Sequence, residues 1–349
     1  MIRFTYLRGT LAAALILFAA VSVFAEGQSE EGAGVVHVYS NRHYDTDRAL
    51  YEAFEEETGI DVRVVEAGSD ELIQRLDAEG DQSEADLIIT ADVGRLHRAK
   101  EMDLLQPVTS AALTDRLSER LRDADNQWFA LTKRARVIAY HRERADRSVL
   151  STYEALAGPD FSDNIAIRSS SNVYNQSLLA SIIAHNGEDA ACEWAAGVVS
   201  NMARRPQGGD RDQLRAIAAG EADYAVVNTY YIGQMLTSTD PQDREVAEQI
   251  GVFFPNQEGR GAHVNISGVG VTKVSDNVDG AMRLIEFLLS DEAQQQFAQA
   301  NYEYPAVDGI AAAPEIAAWG EFEEDPLPLN RIGELNASAV RVFDEVGWQ

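Results

Sequence analysis

Four tyrosines stand where a strand-like segment gives way to a helix-like one: Tyr44, Tyr174, Tyr230 and Tyr231. Neighbouring side chains point to opposite faces of a strand, and on a helix they diverge by about 100°. The adjacent pair Tyr230–Tyr231 can therefore serve one site only where the backbone changes from strand to helix. A single tyrosine at such a place usually packs or hydrogen-bonds to the protein. Because α/β proteins gather ligand contacts beyond the carboxyl ends of their strands, four in corresponding positions predict a shared site.

A phenol becomes a strong metal ligand once it has lost its proton. Phenolate oxygen is a hard, anionic donor that suits a hard trivalent cation, whereas a softer ion would recruit imidazole or thiolate. A free phenol has a pKa of about 10, so the bound cation must supply the charge that removes the proton. We therefore predict that metal binding releases protons and weakens as the pH falls.

A trivalent cation such as Fe³⁺ held by four phenolates leaves one net negative charge. An unpaired buried charge is costly, so such a site needs a cation beside it. The segment Leu131–Tyr140 places Lys133, Arg134 and Arg136 at the start of a predicted strand, and Arg134 is the candidate counter-charge. Without the tyrosines, the same basic cluster would be interpreted as a solvated edge.

The elements that carry these residues alternate between strands and helices. Strand-like runs at residues 35–40, 60–67 and 85–90 are each followed by a segment with helical spacing of its apolar residues. This order predicts a parallel sheet with right-handed crossovers. The alternation then recurs along the chain, and residues 279–301 have the apolar spacing of one long amphipathic helix.

The length of the chain favours two α/β lobes. A chain of 349 residues exceeds one ordinary domain, and the recurring alternation fits two lobes with more than one crossing between them. We expect residues 35–135 with about 260–308 to form an N-terminal lobe, and residues 136–259 with about 309–349 to form a C-terminal lobe. The ligand would lie in the cleft between them.

The N-terminus has the pattern of a secretory signal. Basic residues precede an apolar run over residues 11–24, which is too short to span a membrane comfortably and is followed by small residues. We predict a cleavable signal peptide over residues 1–25 and a flexible acidic leader over residues 26–34. The only cysteine is Cys192, which excludes an intrachain disulfide and a lipid anchor on a cysteine after the signal. We therefore expect a free periplasmic protein.

Composition and motifs narrow the function classes. A formal net charge of −28 argues against nucleic acid as a partner, because such binding needs a basic face. The G-x-S-x-G, H-E-x-x-H and Walker A motifs do not occur in the sequence, so an enzyme of the cell envelope is the least favoured hypothesis. A binding protein of the same fold for an anion or a polyamine remains the main alternative.

Six segments together resemble the FutA/FbpA-type ferric-iron-binding proteins, which are the periplasmic solute-binding components of iron ABC importers. The likeness runs from about Val35 to the C-terminus and rests on these stretches: YSNRHYDTD, TKRARVIAY, RSSSNVYNQS, AVVNTYY, GVFFPNQEGRGAHVNISGVGV and NYEYP. It implies a two-lobed type II periplasmic binding protein fold that closes on iron by hinge motion. It also implies delivery to an inner-membrane ABC permease, and we expect a monomer.

The resemblance implies iron ligands at the four tyrosines, with Fe³⁺ favoured and Fe²⁺ as an alternative. His43 matches a histidine that ligates iron in some members and not in others. Arg134 matches the basic partner beside the ligands. A second arginine near the tyrosine pair, present in some relatives, is not evident, because Gln234 follows Gly233. That leaves the charge balance, and with it the preference between Fe³⁺ and Fe²⁺, open.

Some members of the family add a carbonate-like anion as an extra ligand. The turn formed by Ser169, Ser170 and Ser171 is the candidate site for such an anion, since it lies at the start of a predicted helix. Capping of that helix explains the same serines equally well.

Overall fold

The computed structural model describes Met1, residues 34–42 and residues 44–349. The predicted signal peptide beyond Met1, the leader up to residue 33, and His43 lie outside the described residues. Within the described part of the chain, no helix is long and apolar enough to cross a membrane.

Strands and helices alternate along the chain. The strands are β1 (Val35–Ser40), β2 (Asp61–Glu66), β3 (Leu87–Thr90), β4 (Phe129–His141), β5 (Ile165–Ala166), β6 (Tyr224–Asn228), β7 (Ile250–Phe253), β8 (Val264–Val271) and β9 (Tyr304–Pro305). The helices are α1 (Asp45–Thr58), α2 (Ser69–Glu79), α3 (Val93–Glu101), α4 (Ala111–Arg116), α5 (Val173–Asn186), α6 (Glu188–Ser200), α7 (Asp210–Ala218), α8 (Thr229–Leu236), α9 (Pro241–Glu248), α10 (Val278–Leu288), α11 (Asp291–Asn301), α12 (Pro314–Ala317), α13 (Leu329–Glu334) and α14 (Asn336–Val346).

The strands join in a mixed sheet with a parallel group at each end. Its main path follows the order β2–β1–β3–β8–β4–β6–β5, and β7 and β9 also pair with β4. β1 runs parallel to both β2 and β3, and β5 runs parallel to β6, as the strand–helix alternation predicts. The strands in the middle of the path, β8 and β4, pair antiparallel with their neighbours.

β4 changes partners halfway along its 13 residues. From Phe129 to Ala135 it pairs with β8, and from Arg136 to Tyr140 it pairs with β6. A single strand therefore belongs to both groups of the sheet. The sequence predicted a strand that starts within the basic segment Leu131–Tyr140, and the structure extends it back to Phe129 through pairing with β8.

Two helix boundaries follow from local backbone chemistry. Gly59 ends α1 in the left-handed region with a φ of 70°, a conformation that glycine adopts without steric cost. The single long helix predicted over residues 279–301 is wrong. Ser290 accepts a hydrogen bond from the backbone N–H of Ala293 and starts α11 as a separate helix after α10.

The buried interior contains two arginines among its largest side chains. Arg134 and Arg136 on β4 are 2% and 1% exposed, alongside apolar residues such as Trp128. Burying a charge is expensive unless it is paired and hydrogen-bonded. The polar groups that surround these two arginines therefore mark a specialised region of the interior.

Candidate metal centre

The four predicted tyrosines occupy three strand-to-helix junctions. Tyr44 is the N-cap residue of α1, after β1, and Tyr174 is the second residue of α5, after β5. Tyr230 and Tyr231 lie in the first turn of α8, which begins directly after β6 ends at Asn228. The change from strand to helix that the adjacent pair requires is therefore present in the structure.

The phenols from two of these junctions meet. The hydroxyl oxygen of Tyr174 lies 3.1 Å from that of Tyr230, within hydrogen-bonding distance. The rings of Tyr230 and Tyr231 have centroids 4.2 Å apart with an interplanar angle of 35°. The adjacent tyrosines therefore share one side of α8 and do not divide between core and surface.

Burial keeps these phenols protonated. It is the main reason that the pKa values of Tyr44, Tyr230 and Tyr231 lie above the ordinary value of a phenol. For Tyr230, the neighbouring phenols of Tyr174, Tyr231 and Tyr44 raise the pKa further, which places all four groups in one electrostatic environment. The cluster can become anionic only if a cation compensates the accumulated negative charge.

Three guanidinium groups surround the ring of Tyr174. The distances from the guanidinium carbons to the ring centroid are 5.0 Å for Arg134, 5.8 Å for Arg136 and 5.5 Å for Arg168. Each lies within the range of a cation–π contact. The predicted partner Arg134 thus lies beside the tyrosine cluster, and two further arginines accompany it.

Two buried aspartates pair with these arginines. Asp92 lies 3.4 Å from Arg134, whereas Asp210 lies 2.8 Å from Arg136 and 3.5 Å from Arg168. Burial raises the pKa of Asp92, while the charge of Arg134 opposes that effect.

Arg42 occupies a corresponding place beside Tyr44. Its guanidinium carbon lies 5.1 Å from the centroid of the Tyr44 ring. The same group forms buried ion pairs with Asp47 at 2.6 Å and with Glu303 at 2.9 Å. After burial, the charge of Glu303 is the next cause that raises the pKa of Tyr44, and Arg42 opposes it.

Close packing fixes the helix that carries the tyrosine pair. A Cβ atom added at Gly233 in α8 would lie 2.7 Å from the Cβ of Tyr302 and 2.9 Å from the Cδ1 of Ile316. Tyr302 itself has a φ of 60°, which is uncommon for a residue with a side chain. The glycine therefore permits an approach that positions Tyr230 and Tyr231.

The serine turn lies next to Tyr174 without capping its helix. The N-cap of α5 is Asn172, whose side chain accepts a hydrogen bond from the backbone N–H of Tyr174 at 3.1 Å. The hydroxyls of Ser169 and Ser171 are 2.7 Å apart, and the backbone N–H of Ser170 donates to the carbonyl of Gln349. The capping alternative for the three serines is therefore wrong.

Several polar neighbours of the cluster were not predicted to serve the site. Arg136 lies two residues after Arg134 on β4, so the alternation of strand side chains was a usable signal for it. Arg168 follows closely after β5 and has the same strand-end position as the tyrosines. Asp92 and Asp210 gave no comparable signal, because acidic residues are common throughout this chain.

The described part of the chain was also compared with the usual metal sites of histidine, cysteine and carboxylate ligands. Within residues 34–42 and 44–349, no group of three or more histidine, cysteine, aspartate or glutamate side chains is arranged to hold a metal ion. Lys133, in the basic segment of β4, pairs with Glu324 at 2.7 Å. The tyrosine cluster is thus the candidate centre that the geometry supports.

The sequence matches both a family model and individual proteins of known name. The family model for bacterial extracellular solute-binding proteins matches residues 49–324. Iron uptake protein A1 of Synechocystis sp. is 49% identical over 314 residues, which cover 90% of this chain and 87% of that protein.

Solved structures of similar proteins superpose closely on this chain. Trichodesmium FutA (IdiA), in complex with iron and citrate, superposes with a TM-score of 0.88 at 46% identity, covering 90% of this chain and 100% of that one. The ferric binding protein from Campylobacter jejuni gives a TM-score of 0.87 with the same identity and coverage. The predicted two-lobed α/β periplasmic binding protein fold is confirmed. The chain belongs to the bacterial extracellular solute-binding protein family, within its FutA/FbpA-type group.

Proposed function

We propose that this protein captures ferric iron outside the inner membrane and delivers it to an ABC transporter permease. The ligands are the phenolate oxygens of Tyr44, Tyr174, Tyr230 and Tyr231. The observation that carries this proposal is the 3.1 Å separation between the hydroxyls of Tyr174 and Tyr230, within a cluster of four buried or half-buried phenols. The similar proteins are named for iron uptake and ferric binding, and none of the three compared above is named as an enzyme.

Fe³⁺ fits the donor set better than Fe²⁺ does. Phenolate is a hard anionic oxygen donor, and a trivalent cation compensates more of its charge than a divalent one. As iron enters, each ligating phenol loses its proton, and the positive charges around Tyr174 stabilise the resulting anions. Iron is released more readily at low pH, because protons then compete with the metal for the same oxygens.

Two further ligands complete the proposal. His43, which precedes Tyr44 in the chain, is an additional nitrogen ligand. A carbonate-like anion binds beside the iron at the turn of Ser169, Ser170 and Ser171. Ser169 is half-buried and Ser171 is exposed, and their hydroxyls form a hydrogen bond with each other. Both hydroxyls can therefore turn toward an anion.

Capture follows from closure of the two lobes around the cluster. Residues 35–135 with about 260–308 form one lobe, and residues 136–259 with about 309–349 form the other. The change of partner within β4, between Ala135 and Arg136, supports this boundary. The mature protein is a periplasmic monomer released from a signal peptide of residues 1–25.

The proposal is tested by titrating metal-free protein with Fe³⁺. Coordination by phenolate produces a visible charge-transfer band, whose intensity should rise to an end point with bound iron. A variant with both Tyr230→Phe and Tyr231→Phe should lose the band and the iron. Iron uptake without colour would contradict tyrosine coordination. Tight binding of an anion or a polyamine that survives both substitutions would favour the alternative ligand class.

A further inference from the structure

Unlike the two neighbouring arginines, Arg168 has a guanidinium that donates no hydrogen bond to the described part of the chain. Arg134 donates to the Ser267 hydroxyl and to Asp92, both at 3.4 Å. Arg136 donates to Asp210 at 2.8 Å and to Asn175 at 2.9 Å. Arg168 only approaches Asp210, at 3.5 Å, and its Nε atom, like that of Arg136, is buried with no hydrogen-bond partner among the described residues. A buried donor without a partner is costly unless another state of the protein satisfies it.

The backbone of Arg168 is held although its guanidinium is not. The Arg168 carbonyl accepts hydrogen bonds from Asn175 Nδ2 at 2.8 Å and from Trp348 Nε1 at 3.0 Å. From this fixed point, the guanidinium carbon lies 5.5 Å from the centroid of the Tyr174 ring. The side chain is 20% exposed, so its end can move while its base stays in place.

The charges around Tyr174 also favour a role for this group. In their ion pairs, the guanidiniums of Arg134, Arg136 and Arg168 share two carboxylates, those of Asp92 and Asp210, so these pairs carry one positive charge in excess. A trivalent cation with four phenolates leaves one negative charge. The least committed of the three guanidiniums is Arg168.

The positive charge beside Tyr44, that of Arg42, is already paired. Arg42 forms close ion pairs with two carboxylates, those of Asp47 and Glu303. Its hydrogen bonds to both are short, from 2.6 to 3.1 Å. The positive excess is therefore on the Tyr174 side of the cluster.

We infer that Arg168 is a positioning residue that supplies the counter-charge for the iron-loaded tyrosine cluster, with its guanidinium turning from Asp210 toward the phenolate oxygens. This inference rests on the proposed function. The positive charge then comes from the loop that follows β5. The sequence of α8 has no arginine beside the tyrosine pair, because Gln234 follows Gly233. Burial alone would lower the pKa of Arg168. The charges of Asp210, Tyr231, Tyr174 and Tyr230 outweigh burial and raise it.

The test compares Arg168→Gln and Arg168→Lys with the wild type and with Arg204→Gln. Arg204 is a matched control, because its side chain is also 20% exposed and it pairs with Glu221 at 2.8 Å. Iron retention is measured by competition with EDTA at fixed pH. We expect Arg168→Gln to retain iron about tenfold less tightly, as is common for partners of metal ligands, with partial recovery in Arg168→Lys. Arg204→Gln should match the wild type.

The charge-transfer band gives a second readout that loss of structure alone would not move in the same way. Removing a positive charge raises the energy of the phenolate electrons, so the band of Arg168→Gln should shift to longer wavelength. The inference would be overturned if the wild type binds iron and the Arg168→Gln variant retains it equally well with an unshifted band. The proposed function would then remain intact. Equal losses in the Gln and Lys variants, with lower unfolding temperatures, would assign Arg168 a structural role and also overturn it. Failure of the wild type to bind Fe³⁺ would instead contradict the proposed function.

Discussion

The hydroxyl oxygens of Tyr174 and Tyr230 lie 3.1 Å apart although the two residues are separated by 56 positions in the chain. One belongs to the helix after β5 and the other to the helix after β6, and β5 and β6 are adjacent parallel strands. Parallel pairing brings the carboxyl ends of both strands to the same edge. The meeting of these two phenols is thus a consequence of sheet topology.

Removal of one of these hydroxyls should affect iron far more than it affects the fold. We expect Tyr230→Phe to weaken Fe³⁺ retention by at least about a hundredfold, because changes even to outer partners of metal ligands cost about 10–100-fold. Tyr224→Phe is the matched control, since Tyr224 is a buried tyrosine on β6 that donates to the Asp146 carbonyl. Competition with a chelator measures both. Retention of iron by Tyr230→Phe at the wild-type level would exclude Tyr230 as a ligand.

Arg134→Ala should lower both iron retention and stability, for different reasons. Retention falls about tenfold because the anionic cluster loses a counter-charge. The free energy of unfolding of the metal-free protein falls by about 3–5 kcal/mol, because Asp92 is left buried without its cation.

A double variant separates the two effects of Arg134. Adding Asp92→Asn to Arg134→Ala should restore part of the stability in urea unfolding without restoring iron retention. Unchanged iron affinity in Arg134→Ala would remove Arg134 from the mechanism. Recovery of iron retention in the double variant would show that its role is only to pair Asp92.

The metal-free protein should lose stability as the pH rises above about 10. The folded-state pKa values of Tyr44, Tyr230 and Tyr231 are raised above the ordinary phenol value. Their contribution to stability is therefore fully present below the unfolded-state pKa of about 10 and is lost as the pH climbs toward the folded-state values.

Urea unfolding of metal-free protein at several pH values between about 8 and 11 measures this dependence. The loss should be smaller in Tyr230→Phe, which has one fewer raised phenol. A free energy of unfolding that increases with pH over this range, or an identical slope in wild type and Tyr230→Phe, would contradict the assigned environment of Tyr230.

Gly233→Ala should disturb the helix that carries the tyrosine pair. The new Cβ would contact Tyr302 at 2.7 Å, so α8 or Tyr302 must move, at a cost of about 1–3 kcal/mol. Gly259→Ala is the control, since the added Cβ would make only an ordinary contact there, 3.7 Å from the Asn256 carbonyl oxygen. We expect a lower unfolding temperature and weaker iron retention only in Gly233→Ala. Equal unfolding temperatures for the two variants would show that the contact is not close in solution.

Much of the candidate site was predictable because each tyrosine belongs to a local strand-to-helix change. Arg134 followed from counting charge around those phenols. Its partners were not predictable, since the pairing of Asp92 with Arg134 joins residues 42 positions apart and depends on how β3, β8 and β4 pack. Arg168 was overlooked because a lone arginine after a strand is usually solvated.

For the fold as well, features with a local sequence signal were predicted correctly, and features that depend on distant parts of the chain were not. The apolar runs of β1, β2 and β3 are local signals, and their strand assignments are confirmed. The break between α10 and α11 was missed because both helices share one apolar spacing, and a single serine cap separates them. The extent of β4 depends on its pairing with β8 in one half and with β6 in the other.

A crystal structure of the Fe³⁺-loaded protein tests the central claim most directly. We predict one iron ion with the phenolate oxygens of Tyr44, Tyr174, Tyr230 and Tyr231 all within bonding distance of it. An iron ion bound elsewhere, or a loaded protein in which these four oxygens bond only to other protein atoms, would contradict the account.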